Sequence, residues 1–159
     1  MSFLQKLDDP KALGFLVLRA FFAQFWLLQW FGKIRDSESG IVAAKNLSIW
    51  ADHVTAHFLK TTPLPEWAVL PYTRVTPWLE LLLGLLLCVG FLQRRALLVA
   101  ALFLVSLDLG LMLQLKHEDV ARNMLFLFGL LLALQWASQG ADLLSLDGLL
   151  SKREGRSVK

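Results

Sequence analysis

Three ionisable side chains, Arg19, Glu80 and Asp108, lie within otherwise uncharged stretches of this sequence. An ionisable group at membrane depth costs about 2.5–3.5 kcal/mol, so such a residue is a candidate functional group by default. A carboxyl group can carry a proton during a reaction, which makes Glu80 and Asp108 the candidate catalytic residues. Arg19 is a candidate donor to a ligand; alternatively, its long side chain reaches water at the helix end or forms a purely structural pair.

Each carboxyl group also has a structural interpretation. Glu80 follows Pro77 by three residues, so in a helix that begins at Pro77 it would lie on the first turn. A carboxylate there is stabilised by the positive end of the helix dipole. Asp108 would lie about 10 Å from the nearer end of its span. At that depth the sequence predicts that Asp108 is paired, hydrogen-bonded or protonated.

Neutral polar side chains are predicted to gather in the same half of the bundle as Glu80. Gln29, Gln114 and Asn123 would form with it a small polar chamber, roofed by a long loop. A single amide usually serves as a hydrogen bond between helices, worth about 0.6 kcal/mol, so the cluster rather than any one member indicates a ligand. The candidate ligand-binding residues are Arg19, Gln29, Trp78 and Asn123.

Other cofactor sites find little support in the sequence. His53 and His57 stand four residues apart, a spacing that can place two imidazoles on one metal, but no third ligand lies nearby. Solvated or packed histidines are the favoured interpretation. A single cysteine, Cys88, excludes an internal disulfide and a cluster held by several thiolates of one chain. Neither a metal nor a haem is predicted.

The distribution of charge predicts the elements that hold these groups. Hydrophobic residues make up 56% and charged residues 18% of the 159 positions, against about 25% charged residues in soluble domains. Four nearly uncharged stretches cover residues 13–31, 77–92, 96–115 and 123–139. The longer ones reach roughly 30 Å as helices, the thickness of a bilayer core. The net charge of +3 is scattered, which excludes a nucleic-acid-binding face.

The predicted fold is therefore all-α: a single polytopic membrane domain, residues 1–159, with a bundle of four transmembrane helices. Residues 93–95 and 116–122 are the predicted short links, and residues 33–76 form a long first loop. Within that loop, residues 41–58 predict an amphipathic helix on the outer face. Prolines are expected to end regular structure after it, at Pro63, Pro65 and Pro71. Close packing between helices is predicted at Gly84, Gly90, Gly110, Gly129 and Ala133.

Lysine and arginine counts predict the orientation, because cytoplasmic loops carry more of them. The side of the termini has eight such residues in roughly 35 loop positions, and the opposite side has seven in roughly 50. The first set is Lys6, Lys11, Arg94, Arg95, Lys152, Arg153, Arg156 and Lys159. The second set is Lys33, Arg35, Lys45, Lys60, Arg74, Lys116 and Arg122. A multi-pass protein of the inner (cytoplasmic) membrane, with both termini cytoplasmic, is expected.

Several motifs together resemble the DoxX family. They are Phe31-Gly32-Lys33-Ile34 at the end of the first span, a proline-bearing loop, Glu80 followed by Gly84 and Gly90 with Arg94 and Arg95 behind them, Asn123, and Ser145-Leu146-Asp147. The resemblance covers most of the chain, and the second span is its most specific part. It implies a four-helix integral membrane protein associated with redox chemistry, since family members include a membrane subunit of a thiosulfate:quinone oxidoreductase.

These observations favour an integral membrane subunit of a quinone-linked oxidoreductase or redox-stress complex. The chain has no redox-active cysteine pair, so it would act only with a soluble redox partner, in a lipid bilayer, with a quinone-like ligand in the chamber. Two alternatives stay open: a non-catalytic anchor or assembly factor for a soluble partner, and a small-solute carrier. The sequence also leaves open whether the subunit is itself an enzyme and whether it forms homo-oligomers.

Overall fold

Five helices make up the fold in the computed structural model, which describes residues 9–35, 40–138 and 145–146. They are α1 (Pro10–Ile34), α2 (Lys45–Thr61), α3 (Glu66–Val89), α4 (Gln93–Leu113) and α5 (His117–Ser138). Asp9 begins α1 by accepting a hydrogen bond from the Lys11 backbone N–H, with Pro10 at the first helical position. Asp147, and the tail after it, lie outside the described residues.

Four of these helices, α1, α3, α4 and α5, are long and apolar enough to cross a membrane. Their outward faces expose large hydrophobic side chains, including Val17, Leu102, Leu125 and Phe128. A water-soluble protein rarely exposes so continuous an apolar surface, whereas lipid requires it. The predicted all-α, multi-pass membrane fold is thereby confirmed.

The core of the bundle is built around one face of α1. Phe15, Phe22 and Trp26 recur at helical spacing along that face and are almost completely buried. Leucines and small residues of α3, α4 and α5 surround them: Leu83, Leu87, Leu97, Ala100, Leu104, Leu130 and Ala133. Because these side chains are packed on all sides, the position of α1 relative to α3, α4 and α5 is fixed.

Glycines allow the helices to approach closely, as the sequence predicts. A Cβ atom added at Gly84 would lie 2.7 Å from Leu27 of α1, and one added at Gly129 would lie 3.0 Å from Phe22. A Cβ atom added at Gly110 would lie 3.2 Å from the ring of Phe58 of α2. Gly90 is closely packed too, because an added Cβ would lie 2.7 Å from the Arg19 guanidinium. Its φ of 71° also ends α3 in the left-handed conformation that favours glycine.

The predicted amphipathic helix is confirmed as α2. Leu47 and Ala51 are buried, while Asp52 and His53 are exposed. The Asn46 side chain donates to the Ile34 and Ile41 carbonyls and so holds the start of α2 against the end of α1. A buried hydrogen bond of 2.8 Å, between the hydroxyls of Thr55 and Thr73, fixes α2 on α3.

The predicted start of the second span was wrong, because α3 begins at Glu66 rather than at Pro77. Pro63 and Pro65 do precede the helix, but Pro71 and Pro77 lie inside it. Each interior proline removes one backbone hydrogen bond. The burial of Val69, Thr73 and Thr76 against the neighbouring helices offsets that cost, as is common for proline in membrane helices.

The links between the last three helices also differ from the prediction. Gly90 to Leu92 connect α3 to α4, and residues 93–95 form the first turn of α4. Only residues 114–116 connect α4 to α5, because the polar stretch from His117 onwards is already helical. Glu118 and Asp119 lie in the first turn of α5, where the positive end of the helix dipole stabilises acidic residues.

Candidate functional site

A buried ion pair between Lys33 and Glu80 is the centre of the candidate site. The Lys33 Nζ lies 2.7 Å from Glu80 Oε1 and 2.6 Å from Oε2, so it donates to both carboxylate oxygens. The two side chains are 12% and 3% exposed. Glu80 is the fifteenth residue of the 24-residue α3, so the interpretation of Glu80 as a first-turn helix cap was wrong. Its carboxylate is held by a lysine instead.

The last turn of α1 and the roof helix α2 together position the ammonium group of Lys33. Besides Glu80, Lys33 Nζ donates to the Gln29 carbonyl, one helical turn earlier, at 3.3 Å. The same nitrogen lies 4.8 Å from the centre of the Trp50 ring, a cation–π contact. Three helices therefore converge on one cation.

Sequence reasoning missed Lys33, which it assigned to the loop after the first span. Two signals were present. Lys33 follows Gln29 by four residues, so both lie on one face of a helix that continues past Phe31. An intramembrane carboxylate also needs a partner, and Lys33 is the first cation after an uncharged run. Trp50 lies within residues 41–58, the predicted amphipathic helix, but its contact with a cation was not predicted.

A cavity of about 550 Å³ adjoins this ion pair and receives lining residues from all five helices. Its volume lies in the range of small-molecule sites, about 300–1,000 Å³. Most of the lining is apolar or aromatic, and Trp50, Val54 and Phe58 of α2 form the roof. The polar lining residues are Gln29, Lys33, Tyr72, Thr73, Thr76, Glu80, Ser106 and Asn123. The cavity thus combines three residues of the predicted chamber, Gln29, Glu80 and Asn123.

The Trp26 side chain contributes a hydrogen-bond donor whose partner is missing from the described part of the chain. Trp26 is 1% exposed and lines the cavity, and its indole nitrogen makes no hydrogen bond within residues 9–35, 40–138 and 145–146. A buried N–H without a partner costs about 1–3 kcal/mol. Such a group in a cavity wall is typical of a position that a ligand or water completes.

Asp108 is held one layer behind the cavity wall. Its Oδ1 accepts a hydrogen bond of 2.7 Å from the Asn123 side-chain amide, and Asp108 is 7% exposed. The predicted hydrogen-bonded state of Asp108 is thus observed. Asn123 lines the cavity and Asp108 is absent from the lining, so Asp108 orients Asn123 instead of facing a ligand directly.

We expect Asn123→Ala to lower the free energy of unfolding by about 1.5 kcal/mol, because it leaves the Asp108 carboxyl without this donor. Chemical unfolding in detergent, followed by helical circular dichroism, measures the change. Arg122→Ala is the matched control, since Arg122 is exposed on the same turn and its pairing with Asp119 is a surface contact. Equal losses in the two variants would show that the Asn123 bond contributes nothing specific.

The structure places Arg19 away from this site. Fourteen residues separate Arg19 from Lys33 on α1, or about 21 Å along the helix axis. Arg19 is buried, so the alternative in which it extends to water was wrong within the described structure. A Cβ added at Gly90 would lie 2.7 Å from the Arg19 guanidinium and 2.9 Å from Ser145. Arg19 therefore packs where α3 ends, at the opposite end of the bundle.

The remaining candidates also lie outside the cavity. Trp78 is 57% exposed on the outward face of α3, as expected for an aromatic side chain facing lipid. His53 and His57 are exposed on α2. Within the described part of the chain, His, Cys, Asp and Glu side chains form no group of three or more that could hold a metal ion.

Comparisons of this chain with protein-family models, with curated proteins and with solved structures found no match, so the resemblance to the DoxX family gains no support from them.

Proposed function

We propose that this protein is an integral membrane subunit of a quinone-linked oxidoreductase or redox-stress complex, and that its cavity binds the quinone headgroup. One observation carries the proposal. A mainly apolar cavity inside the helix bundle, with five aromatic side chains in its lining, contains a buried Lys–Glu pair that can bind a carbonyl oxygen and carry a proton.

The lining residues fit a quinone headgroup chemically. A planar ring with two carbonyl oxygens needs aromatic or aliphatic surfaces on its faces and donors at its ends. Phe25, Trp26 and Trp50 provide aromatic surface. The amide of Asn123 and the indole N–H of Trp26, which has no partner among the described residues, provide donors. Lys33 provides a third when it gives up its 3.3 Å hydrogen bond to the Gln29 carbonyl. Lipid-soluble ligands also suit a site inside a membrane bundle.

The Lys33–Glu80 pair is the proposed proton carrier. A bound quinone supplies two-electron chemistry and takes up two protons when it is reduced. Lys33 holds protons on Nζ, against a carboxylate that can accept one, so the pair can release a proton and be recharged without moving either helix. Glu80 keeps its proposed catalytic role, and Asp108 becomes a positioning residue that acts through Asn123.

Electrons must come from another protein in this proposal. The sequence contains one cysteine, so a thiol pair within the chain is excluded. A soluble redox partner, or a further subunit of the complex, supplies them. We also propose the inner membrane, with cytoplasmic termini, as the location. The lysine and arginine counts on the two sides of the predicted topology support this orientation.

Binding of 2-methyl-1,4-naphthoquinone to the purified full-length chain in detergent tests the proposal. We expect the quinone to quench tryptophan fluorescence, because Trp26 and Trp50 line the cavity. The double variant Lys33→Met/Glu80→Gln removes both charges together and should weaken binding at least about tenfold, the loss of one charge-assisted hydrogen bond.

The matched control is Asp119→Asn/Arg122→Met, which removes an exposed pair on α5 and should leave binding unchanged. A Trp67→Phe/Trp78→Phe variant, which lacks two exposed tryptophans, should retain most of the quenching. Undetectable binding to the wild-type protein, or equal binding by the Lys33→Met/Glu80→Gln variant, would remove the proposal. A non-catalytic anchor, which needs no quinone site, is compatible with either of these two results.

A further inference from the structure

A second, smaller concavity lies on the outward side of the bundle between α3 and α4. It measures about 360 Å³, and its apolar walls include Val75 and Leu79 of α3 and Val99 and Leu102 of α4. Val75 and Leu102 are 58% and 62% exposed. This groove, which we call the α3–α4 groove, therefore opens towards the lipid.

The α3–α4 groove and the cavity share one wall. Tyr72, Thr76 and Ser106 line both of them. The Tyr72 hydroxyl and the Ser106 Oγ are 2.8 Å apart, and the Ser106 hydroxyl donates to the Phe103 carbonyl at 2.7 Å. Since a serine hydroxyl has one proton, Tyr72 is the donor and Ser106 the acceptor across the two helices.

This shared wall lies where two neighbouring helices of the bundle make few contacts. Helix α3 packs most closely on α1, and α4 packs most closely on α5, whereas the packing of α3 on α4 is sparse. Opening a path between groove and cavity requires the Tyr72–Ser106 bond to break and the Tyr72 ring to turn. Tyr72 is itself exposed, so its ring has room towards the lipid.

We propose that the ligand of the cavity carries an aliphatic tail, that it reaches the cavity sideways from the bilayer between α3 and α4, and that its tail then lies in the α3–α4 groove. The inference rests on the proposed function and specifies its substrate class. The ligand is a lipid-soluble, prenylated or alkylated quinone rather than a small soluble one. The wall that the groove shares with the cavity, built from Tyr72, Thr76 and Ser106, selects the tail of that ligand as the occupant of the groove.

Substitution of Leu102 by tryptophan tests this. The added ring fills the groove, so a tail can no longer pass through it while the headgroup lies in the cavity. The full-length protein in phosphatidylcholine nanodiscs is loaded with 2-methyl-1,4-naphthoquinone or with its 3-geranylgeranyl derivative, and bound quinone is extracted and quantified by absorbance. Leu102→Trp should weaken binding of the geranylgeranyl derivative at least about tenfold and leave the tail-free quinone within about twofold.

Leu125→Trp is the matched control, because Leu125 is 75% exposed on α5, outside both cavities. Val75→Trp, on the opposite wall of the groove, repeats the test if Leu102→Trp does not fold. If the groove variants bind the tailed quinone as tightly as Leu125→Trp does, the inference is overturned. This result is expected if a phospholipid chain, rather than the quinone tail, occupies the groove. The proposed function is left standing by it. Absence of binding of either quinone to the wild-type protein instead overturns the proposed function itself.

The hydrogen bond across the shared wall has a kinetic test. Ser106→Ala removes the acceptor with little change of shape, so the path should open more readily. Association of the tailed quinone, followed by stopped-flow tryptophan quenching, should be about twofold to tenfold faster, the factor expected for one net hydrogen bond. An unchanged association rate would contradict access through this wall.

Discussion

Lys33→Met is expected to lower the free energy of unfolding by about 3–5 kcal/mol, the largest effect of any single substitution considered for this protein. The substitution leaves the Glu80 carboxylate buried at 3% exposure without its cation. Removing one member of a buried ion pair has this magnitude because the uncompensated charge stays in a medium of low dielectric constant. Glu80→Gln should act in the same direction by leaving the ammonium group of Lys33 unpaired.

The double variant separates the energy of the ion pair from the cost of burying one uncompensated charge. Lys33→Met/Glu80→Gln should recover most of the loss, since no uncompensated charge is left. The coupling energy from the four-protein cycle, measured by unfolding in mixed micelles, should exceed about 2 kcal/mol. The same cycle at the exposed pair Asp119 and Arg122 should give about 1 kcal/mol or less. Additive single-variant losses at Lys33 and Glu80 would contradict the pairing seen in the structure.

Gly84→Ala is expected to destabilise the protein by about 2–3 kcal/mol, although alanine is the better helix former. The new Cβ would lie 2.7 Å from Leu27 Cγ and 3.1 Å from the Leu27 backbone nitrogen. The Cγ and backbone nitrogen of Leu27 cannot move away by a change of rotamer, as the end of a flexible side chain can. Helices α1 and α3 must therefore separate. Glu80 lies one turn from Gly84, so the separation also lengthens the Lys33–Glu80 contact.

Gly32 offers the matched control. A Cβ added there meets nothing within 4 Å. Gly32→Ala should therefore stabilise the protein by about 0.5–1 kcal/mol, because alanine lowers the conformational entropy of the unfolded chain and has the higher helix propensity. The two glycine-to-alanine changes should therefore have opposite signs. Thermal unfolding of both variants in the same detergent compares them, and a loss at Gly32 equal to that at Gly84 would refute the close-contact explanation.

The fold was largely predictable because lipid imposes a simple rule on sequence. Charges are excluded from spanning segments, so their distribution located all four spans. The mixed polar and apolar pattern of α2 identified it as an amphipathic helix that does not span. The ends of the helices were less predictable. Pro71 was expected to end regular structure and Pro77 to begin the second span, and only the burial of neighbouring threonines shows why one helix runs through both. The polar residues after Lys116 likewise resembled a loop, although acidic residues stabilise the start of α5.

The candidate site was predictable in its parts but not in its pairing. Gln29, Glu80 and Asn123 were expected in one chamber, and they line one cavity. The partner of Glu80 was missed because the predicted first span ended at Phe31, two residues before Lys33. Arg19 was included as a ligand donor because it is a charge within a span, and the close approach at Gly90 places it at the other end of the bundle. Pairing depends on how far each helix extends, which hydrophobicity alone does not fix.

The ion pair also has an electrical consequence. Lys33 and Glu80 together form a neutral dipole, so the membrane voltage exerts no net force on the resting pair. Voltage acts on a full elementary charge once a proton leaves the pair, with a free energy of about 2.3 kcal/mol per 100 mV if that proton crosses the whole membrane. Turnover that recharges the pair from one face and releases the proton at the other would therefore generate current.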